Sequence, residues 1–325
     1  MHSRAKLLLF LVLILVYVNA CKRTIRDENI ANHIRGDLGF LANDALHGRG
    51  SGTRDELIAA VYIASQLSQA GLKPGGDNGG FMQNVSTDIR LDHQMKPWNT
   101  RNVIAVLPGS DRTAKKEIIM LSAHMDHLGI GKPVNGDEIY NGADDDASGC
   151  AAVLELARVL AQSGPVKRTV IFVFFGSEET GGQGVNYFLQ YPPVPLENIA
   201  ANLEFEMIGR ADPMIQPNKL WFTGYERSDL GPELTKHGFN LVADPRPREH
   251  FFERSDNFPL AQHGIVAHAI SSFGLHKDYH KPSDDLAGID FNHMEQAISS
   301  AIEPIEWLVN SGYRPQWVGG NKPEQ

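Results

Sequence analysis

Two cysteines in 325 residues, with no C-x-x-C pair, no H-E-x-x-H and no G-x-S-x-G, remove several chemistries at the outset. A disulfide framework, a zinc site contained in one segment and a serine nucleophile on a strand-to-helix elbow all lack their residues. Positive charge is short as well: 30 Lys and Arg against 39 Asp and Glu leave a net −9, which argues against a nucleic-acid partner. No repeat period, low-complexity block or Ser/Pro-rich linker divides the chain, so one domain is expected over residues 21–325.

Long apolar runs are equally scarce, and the one that stands out is at the start. Arg4 and Lys6 precede Leu7–Val18, 12 apolar residues, and Asn19-Ala20-Cys21 follows. That is the pattern of a secretory leader, too short to remain as a membrane span. V-N-A-C resembles a bacterial lipobox, in which residues 1–20 are cut away and Cys21 becomes a lipidated first residue; the alternative is an ordinary cleaved leader. Both readings export the protein, and the first anchors it to the membranes of a bacterial envelope. Loss of Arg4 and Lys6 takes the net charge from −9 to −11. Cys150 then remains alone at the start of an apolar helical pattern, as a buried, inert thiol.

What is present alternates. From Ile25 to about Gly71 apolar residues recur every three or four positions, the period of two helices. Between them Gly48-Arg49-Gly50-Ser51-Gly52 lacks the lysine and the preceding strand of a phosphate loop and reads as a connector. Beyond it, apolar strands ("NVIAVLPG", "EIIMLSAH", "RTVIFVFFGSEE", "NIAANLEFEMIG", "KLWFTG", "GIVAHAISSFG") interleave with helical stretches such as "ASGCAAVLELARVLAQSG" and a last amphipathic helix over about Phe291–Asn310. Strands without polar alternation belong to a sheet covered on both faces. The fold class is therefore α/β, a three-layer αβα sandwich around a mixed, mostly parallel sheet.

In such sheets ligands gather beyond the carboxyl ends of the strands, and there the polar residues concentrate. His124-Met125-Asp126-His127 follows one strand, Glu178-Glu179 another, and Glu204 and Glu206 lie at the end of a third. His276, Asp278, Tyr279 and His280 follow the last. "YNGADDDASGC" sets Asp144, Asp145 and Asp146 together on the approach to a helix. Each segment alone has an ordinary reading as a solvated turn or helix start. Their coincidence at one sheet edge points to a multivalent cation held by distant segments.

"AHMDHLG", "NGADDDASG", "GSEETGGQG", "FEMIG" and "DYHKPSD" stand in the order and approximate spacing of metallopeptidase family 28, and the chain resembles that family over nearly all of its exported length. The family includes secreted bacterial leucyl aminopeptidases, plasma glutamate carboxypeptidase and glutaminyl cyclases. The resemblance implies a zinc exopeptidase-like fold and two Zn2+ per chain, with no other cofactor. It implies His124 and Glu206 on one zinc, Glu179 and His280 on the other, and Asp145 between them, with Asp144 and Asp146 turned away. Asp126 would accept the second ring N–H of His124. Glu178 would be the general base toward a hydroxide bridging the metals, and Tyr279 the donor to the developing oxyanion. Where the family most often has aspartate this chain has Glu206, and Glu204 is the alternative ligand.

The resemblance thus implies hydrolysis of peptide substrates, foremost by an aminopeptidase. A carboxypeptidase or dipeptidase would need a cation for the substrate carboxylate, for which Arg210, Arg227, Arg246, Arg248 and Arg254 are available. A glutaminyl cyclase and a non-catalytic metal-holding lipoprotein are the further alternatives. The interval Gly80–Ser122 is too short for the protease-associated insert of many relatives. Asp256, in the loop His250–Gln262, is either a helix cap or a partner for an amino group. Nothing in the sequence encodes the oligomeric state.

Overall fold

The computed structural model describes residues 29–91 and 94–324; the leader and Cys21 lie outside them. Strands β1 (Lys73–Pro74), β2 (Met82–Leu91), β3 (Gln94–Leu107), β4 (Ile118–His124), β5 (Gly129–Val134), β6 (Asp137–Tyr140), β7 (Thr169–Phe175), β8 (Ile199–Phe205), β9 (Leu220–Phe222), β10 (Leu241–Ala243) and β11 (Val266–Ser271) make up two sheets. β5 and β6 pair as a separate hairpin, and the other nine form one sheet in the order β1-β3-β7-β4-β8-β11-β9-β10, with β2 also on β3. Its centre, β7-β4-β8-β11, is parallel throughout, while β3 and β9 join it antiparallel.

The central strands read as unbroken apolar runs because both of their faces are covered. Along β7, Val170, Phe172 and Phe174 enter one core cluster while Ile171, Val173 and Phe175 enter another, the period of two that a pleated strand imposes. The first cluster is closed by α1 (29–41), α2 (Arg54–Gln69), α3 (Gly149–Gln162) and α7 (Phe291–Asn310), with α5 (Leu230–Lys236) beside α7. The second is closed by α4 (Gln183–Gln190) and α6 (Asn257–Gln262). This is the three-layer sandwich the sequence pattern implied. α3 lies against β4 and β8 with almost every residue buried, Cys150 included, and burial pushes that thiol's pKa well up. No helix among the described residues is long and apolar enough to cross a membrane.

Candidate metal centre

Four strand ends and one helix approach meet at the carboxyl edge of the parallel centre. β4 ends on His124; β7 runs through Gly176 and Ser177 into Glu178 and Glu179; Glu206 follows β8; and the segment after β11 brings Tyr279 and His280. Residues 143–148 wind irregularly into α3 and carry Asp145, whose peptide bond to Asp146 is cis.

Asp145 presents one oxygen to each of two imidazoles. Its Oδ1 lies 3.2 Å from His124 Nε2 and its Oδ2 3.2 Å from His280 Nε2. His124 Nε2 is also 3.5 Å from Glu206 Oε1, and His280 Nε2 is 3.3 Å from Glu179 Oε2. The neighbouring aspartates turn the other way. Asp144 Oδ1 accepts the Gly209 N–H at 2.6 Å and its Oδ2 faces His276 Nε2 at 3.0 Å. Asp146 accepts from the backbone N–H groups of Met207 (2.9 Å), Gly149 (3.0 Å) and His124 (3.3 Å). Asp146 does come within donor range of His124 and Glu206, but three backbone bonds already use its oxygens. Position 149 must be glycine for this: a Cβ there would stand 2.4 Å from both Asp146 oxygens.

These donors fit metal ions. Nitrogen and carboxylate oxygen ligands from separate segments suit zinc. His127 Nδ1 and Glu179 Oε1 are buried without a hydrogen-bond partner, a condition that folded proteins rarely leave unanswered. The electrostatics agree. Burial would lift the Asp145 carboxyl, but His127, His124 and His280 around it hold it well below the ordinary range. Burial opposes a charge on His280, yet Asp145 and Glu179 outweigh it and bring its pKa to about 10. With protein groups alone, these side chains draw positive charge toward themselves.

Glu178 lines the same cavity, together with Trp221, Phe251, Phe273, Tyr279 and Arg254. Burial first, then the charges of Asp256, Glu206 and Glu179, raise its pKa well above the carboxylate range. Burial and the charges of Asp145 and Glu179 raise the Tyr279 phenol also, which keeps it protonated and a donor. Behind Glu206, Ser255 Oγ stands 3.0 Å from both Glu206 Oε2 and Glu204 Oε1. One hydroxyl proton cannot serve two carboxylates. Burial and the charges of Asp256 and Glu206 push the Glu204 pKa well up, and the Ser255 hydroxyl links the two carboxyl groups.

Two expectations need correction. Asp126 Oδ1 is 3.7 Å from His124 Nδ1, beyond a hydrogen bond. Asp126 instead accepts the Glu178 N–H (3.0 Å), the Glu179 N–H (3.3 Å) and the Ser51 hydroxyl, fixing the turn that carries Glu178 and Glu179. Asp256 makes no side-chain cap on α6; the Asn257 N–H goes to Glu204 Oε2, and Asp256 Oδ2 stays buried without a partner. Of the five arginines only Arg254 lines the cavity. Arg210 pairs with Asp278 and Asp284, Arg246 with Asp212, Arg227 lies over Phe252, and Arg248 is exposed.

The connector at residues 48–52 does more than join helices. Arg49, fully buried, donates to the carbonyls of Leu41, Met125, Asn141 and Gly142 and so ties the segments of His124 and Asp145 together. Asp284 accepts the Asp144 and Asp145 N–H groups from the other side. Asp284 closes the D-Y-H-K-P-S-D stretch that carries His280, so the sequence places it nearby without showing what it binds; Arg49 has no such signal, standing 75 residues before His124.

The sequence profile of Peptidase family M28 matches residues 102–303. A probable zinc metalloprotease of Pyrenophora tritici-repentis is 30% identical over 181 residues, 54% of this chain and 35% of that protein. Leucine aminopeptidase 1 of Chaetomium globosum is 24% identical over 222 residues, 64% of this chain and 53% of that one. The chain thus spans about a third to a half of the length of these curated relatives. Among solved structures, the aminopeptidase from Aneurinibacillus sp. strain AM-1 shares the fold with a TM-score of 0.65 at 16% identity, covering 87% of this chain and 95% of that one. With the match spanning well over half of its residues, including every donor around Asp145, the chain belongs to peptidase family M28.

Proposed function

We propose that this protein is a zinc-dependent exopeptidase that releases residues from the amino ends of peptides. One observation carries the reading: Asp145 stands between two imidazoles, each facing a further glutamate, with Glu178 in the wall of the same cavity. Kinship with proteins named leucine aminopeptidase 1 supports it. Zinc held by His124, Asp145 and Glu206 on one side and by Asp145, Glu179 and His280 on the other supplies Lewis-acid polarisation of a carbonyl and a lower pKa for water. Glu178 takes the proton of the attacking water and hands it to the leaving amine. The Tyr279 hydroxyl donates to the oxygen that gains charge. Met207, Trp221, Phe251 and Phe273 form an apolar wall suited to a large hydrophobic side chain.

The test is one peptide offered with free, N-acetylated or C-amidated ends to the zinc-loaded protein, followed by mass spectrometry. Loss of residues from free amino ends alone is expected; shortening only from free carboxyl ends would overturn the amino-end reading. A second reading has one observation in its favour. Arg254 lies over Phe251 at 5.0 Å and reaches the Tyr279 hydroxyl at 3.4 Å on the cavity wall, where a guanidinium can pair with a free carboxylate, as a carboxypeptidase or dipeptidase requires. Arg254→Met separates the two: it leaves long peptides unaffected in the first reading and abolishes turnover in the second.

The same proposal puts the protein at a bacterial envelope, exported by its leader and lipid-anchored at Cys21. Labelled fatty acid should enter the wild type and not Cys21→Ser; equal labelling of both would exclude the anchor.

A further inference from the structure

We propose that His127 is an additional protein ligand on the Asp145–Glu179–His280 side of the centre, which makes the two metal positions unequal. The proposal rests on the metal-binding reading above and goes beyond it, since the ligand set given there does not include His127.

His127 is fully buried, with neither ring nitrogen hydrogen-bonded. Its Nδ1 lies 2.8 Å from Glu179 Oε1, itself buried and without a hydrogen bond, and 3.9 Å from Asp145 Oδ2. An N–H aimed at an oxygen 2.8 Å away would be a good hydrogen bond. That none forms means that the in-plane direction of Nδ1 passes to the side of Oε1. Two donors side by side, each lacking a partner, are what convergence on one cation produces. With zinc bonds of about 2.0–2.1 Å, adjacent ligand atoms stand roughly 2.9 Å apart at a right angle and about 3.4 Å apart at the tetrahedral angle. The observed 2.8 Å lies just below the right-angle value.

The surroundings fix the ring. The His127 N–H donates to the Arg49 carbonyl at 3.1 Å, and the Ser51 N–H to the His127 carbonyl at 3.2 Å, so the connector grips its main chain from both sides. The ring packs on Gly142, where φ is +57° and a Cβ would stand 2.5 Å from His127 Cγ. His280 meets the His127 ring edge-on at 5.7 Å between centroids. Glu179 is thereby flanked on both oxygens, Oε2 by His280 and Oε1 by His127. The opposite position has one imidazole, His124.

Zinc alone is the probe. X-ray absorption at the zinc edge of the fully loaded wild-type protein should count three imidazoles per two zincs. A count of two would overturn the proposal and leave the metal-binding reading standing; a protein that retains no zinc would overturn both. In His127→Gln, competition with a chelator should show one zinc held as in the wild type and the other weakened about a hundredfold or more, since even an outer-shell partner is worth about 10–100-fold in metal affinity. Two zincs held with wild-type affinity by the folded variant would equally overturn it. The wild-type count needs no variant to fold.

Discussion

Between α1, α2 and α3, the buried Arg158 donates to both oxygens of Asp37 at 2.7 and 2.9 Å and reaches Glu155 and Gln66. Tyr62 donates to Asp37, and His33 meets Glu155 at 2.8 Å. Every polar side chain named in that cluster has its hydrogen-bond partner within the protein. At the carboxyl edge of the sheet the opposite holds: Asp145, Glu178, Glu179, Glu204, Glu206 and Asp256 gather with imidazoles as their nearest cations, and orphaned donors remain. Burial is common to both. Partner satisfaction separates a strut from a site that completes itself with something from outside.

The comparison is sharpened most by Glu178→Gln, which removes a proton-accepting carboxyl from the second cluster and leaves its shape. Turnover should fall by about 10²–10⁴-fold, the usual share of a general base, while two zincs per chain and the melting temperature are retained. Steady-state kinetics beside metal analysis checks it. Zinc lost together with activity would make Glu178 part of the holding and not of the chemistry.

Arg158→Met makes the matching change in the first cluster. Stripping the counter-charge from Asp37 and Glu155 should cost about 3–5 kcal/mol in urea unfolding, the range for breaking a buried pair, with turnover per folded molecule unchanged. Adding Asp37→Leu should recover part of the loss. A variant as stable as the wild type would show that the helices α1, α2 and α3 need no such strut.

How much of this the sequence carried depended on the range of the interaction. The strands were legible because β7 and β4, buried on both faces, need unbroken apolar runs. The strand-end pattern gathered the candidate carboxylates and imidazoles, and it was the family resemblance that named which of them stand around Asp145. Asp126 was misread: two residues from His124 on an extended chain suggested that it served the ring, whereas it turns to the Glu178–Glu179 backbone. Arg49 was hidden for a similar reason. A Gly-Arg-Gly-Ser-Gly connector looks solvated in sequence, and only the folded chain brings four carbonyls around one guanidinium.

His268 gives the smallest and most quantitative test of a satisfied buried group. On β11 it is fully buried, with Nε2 2.8 Å from Ser228 Oγ and Nδ1 2.7 Å from the Thr223 carbonyl. Burial lowers its pKa from 6.5 to about 3. The folded protein therefore keeps this imidazole neutral where the unfolded chain protonates it. Its contribution is complete above pH 6.5 and is lost as pH falls toward 3, at about 1.4 kcal/mol per unit. From pH 7 to pH 5 this share amounts to about 2 kcal/mol, measurable as a shift in urea midpoint at constant slope. In His268→Asn, whatever its absolute stability, that share of the pH dependence should vanish. A variant whose stability falls as steeply as the wild type's between pH 7 and 5 would mean that His268 is not held neutral, and that good partners do not by themselves keep a buried histidine uncharged.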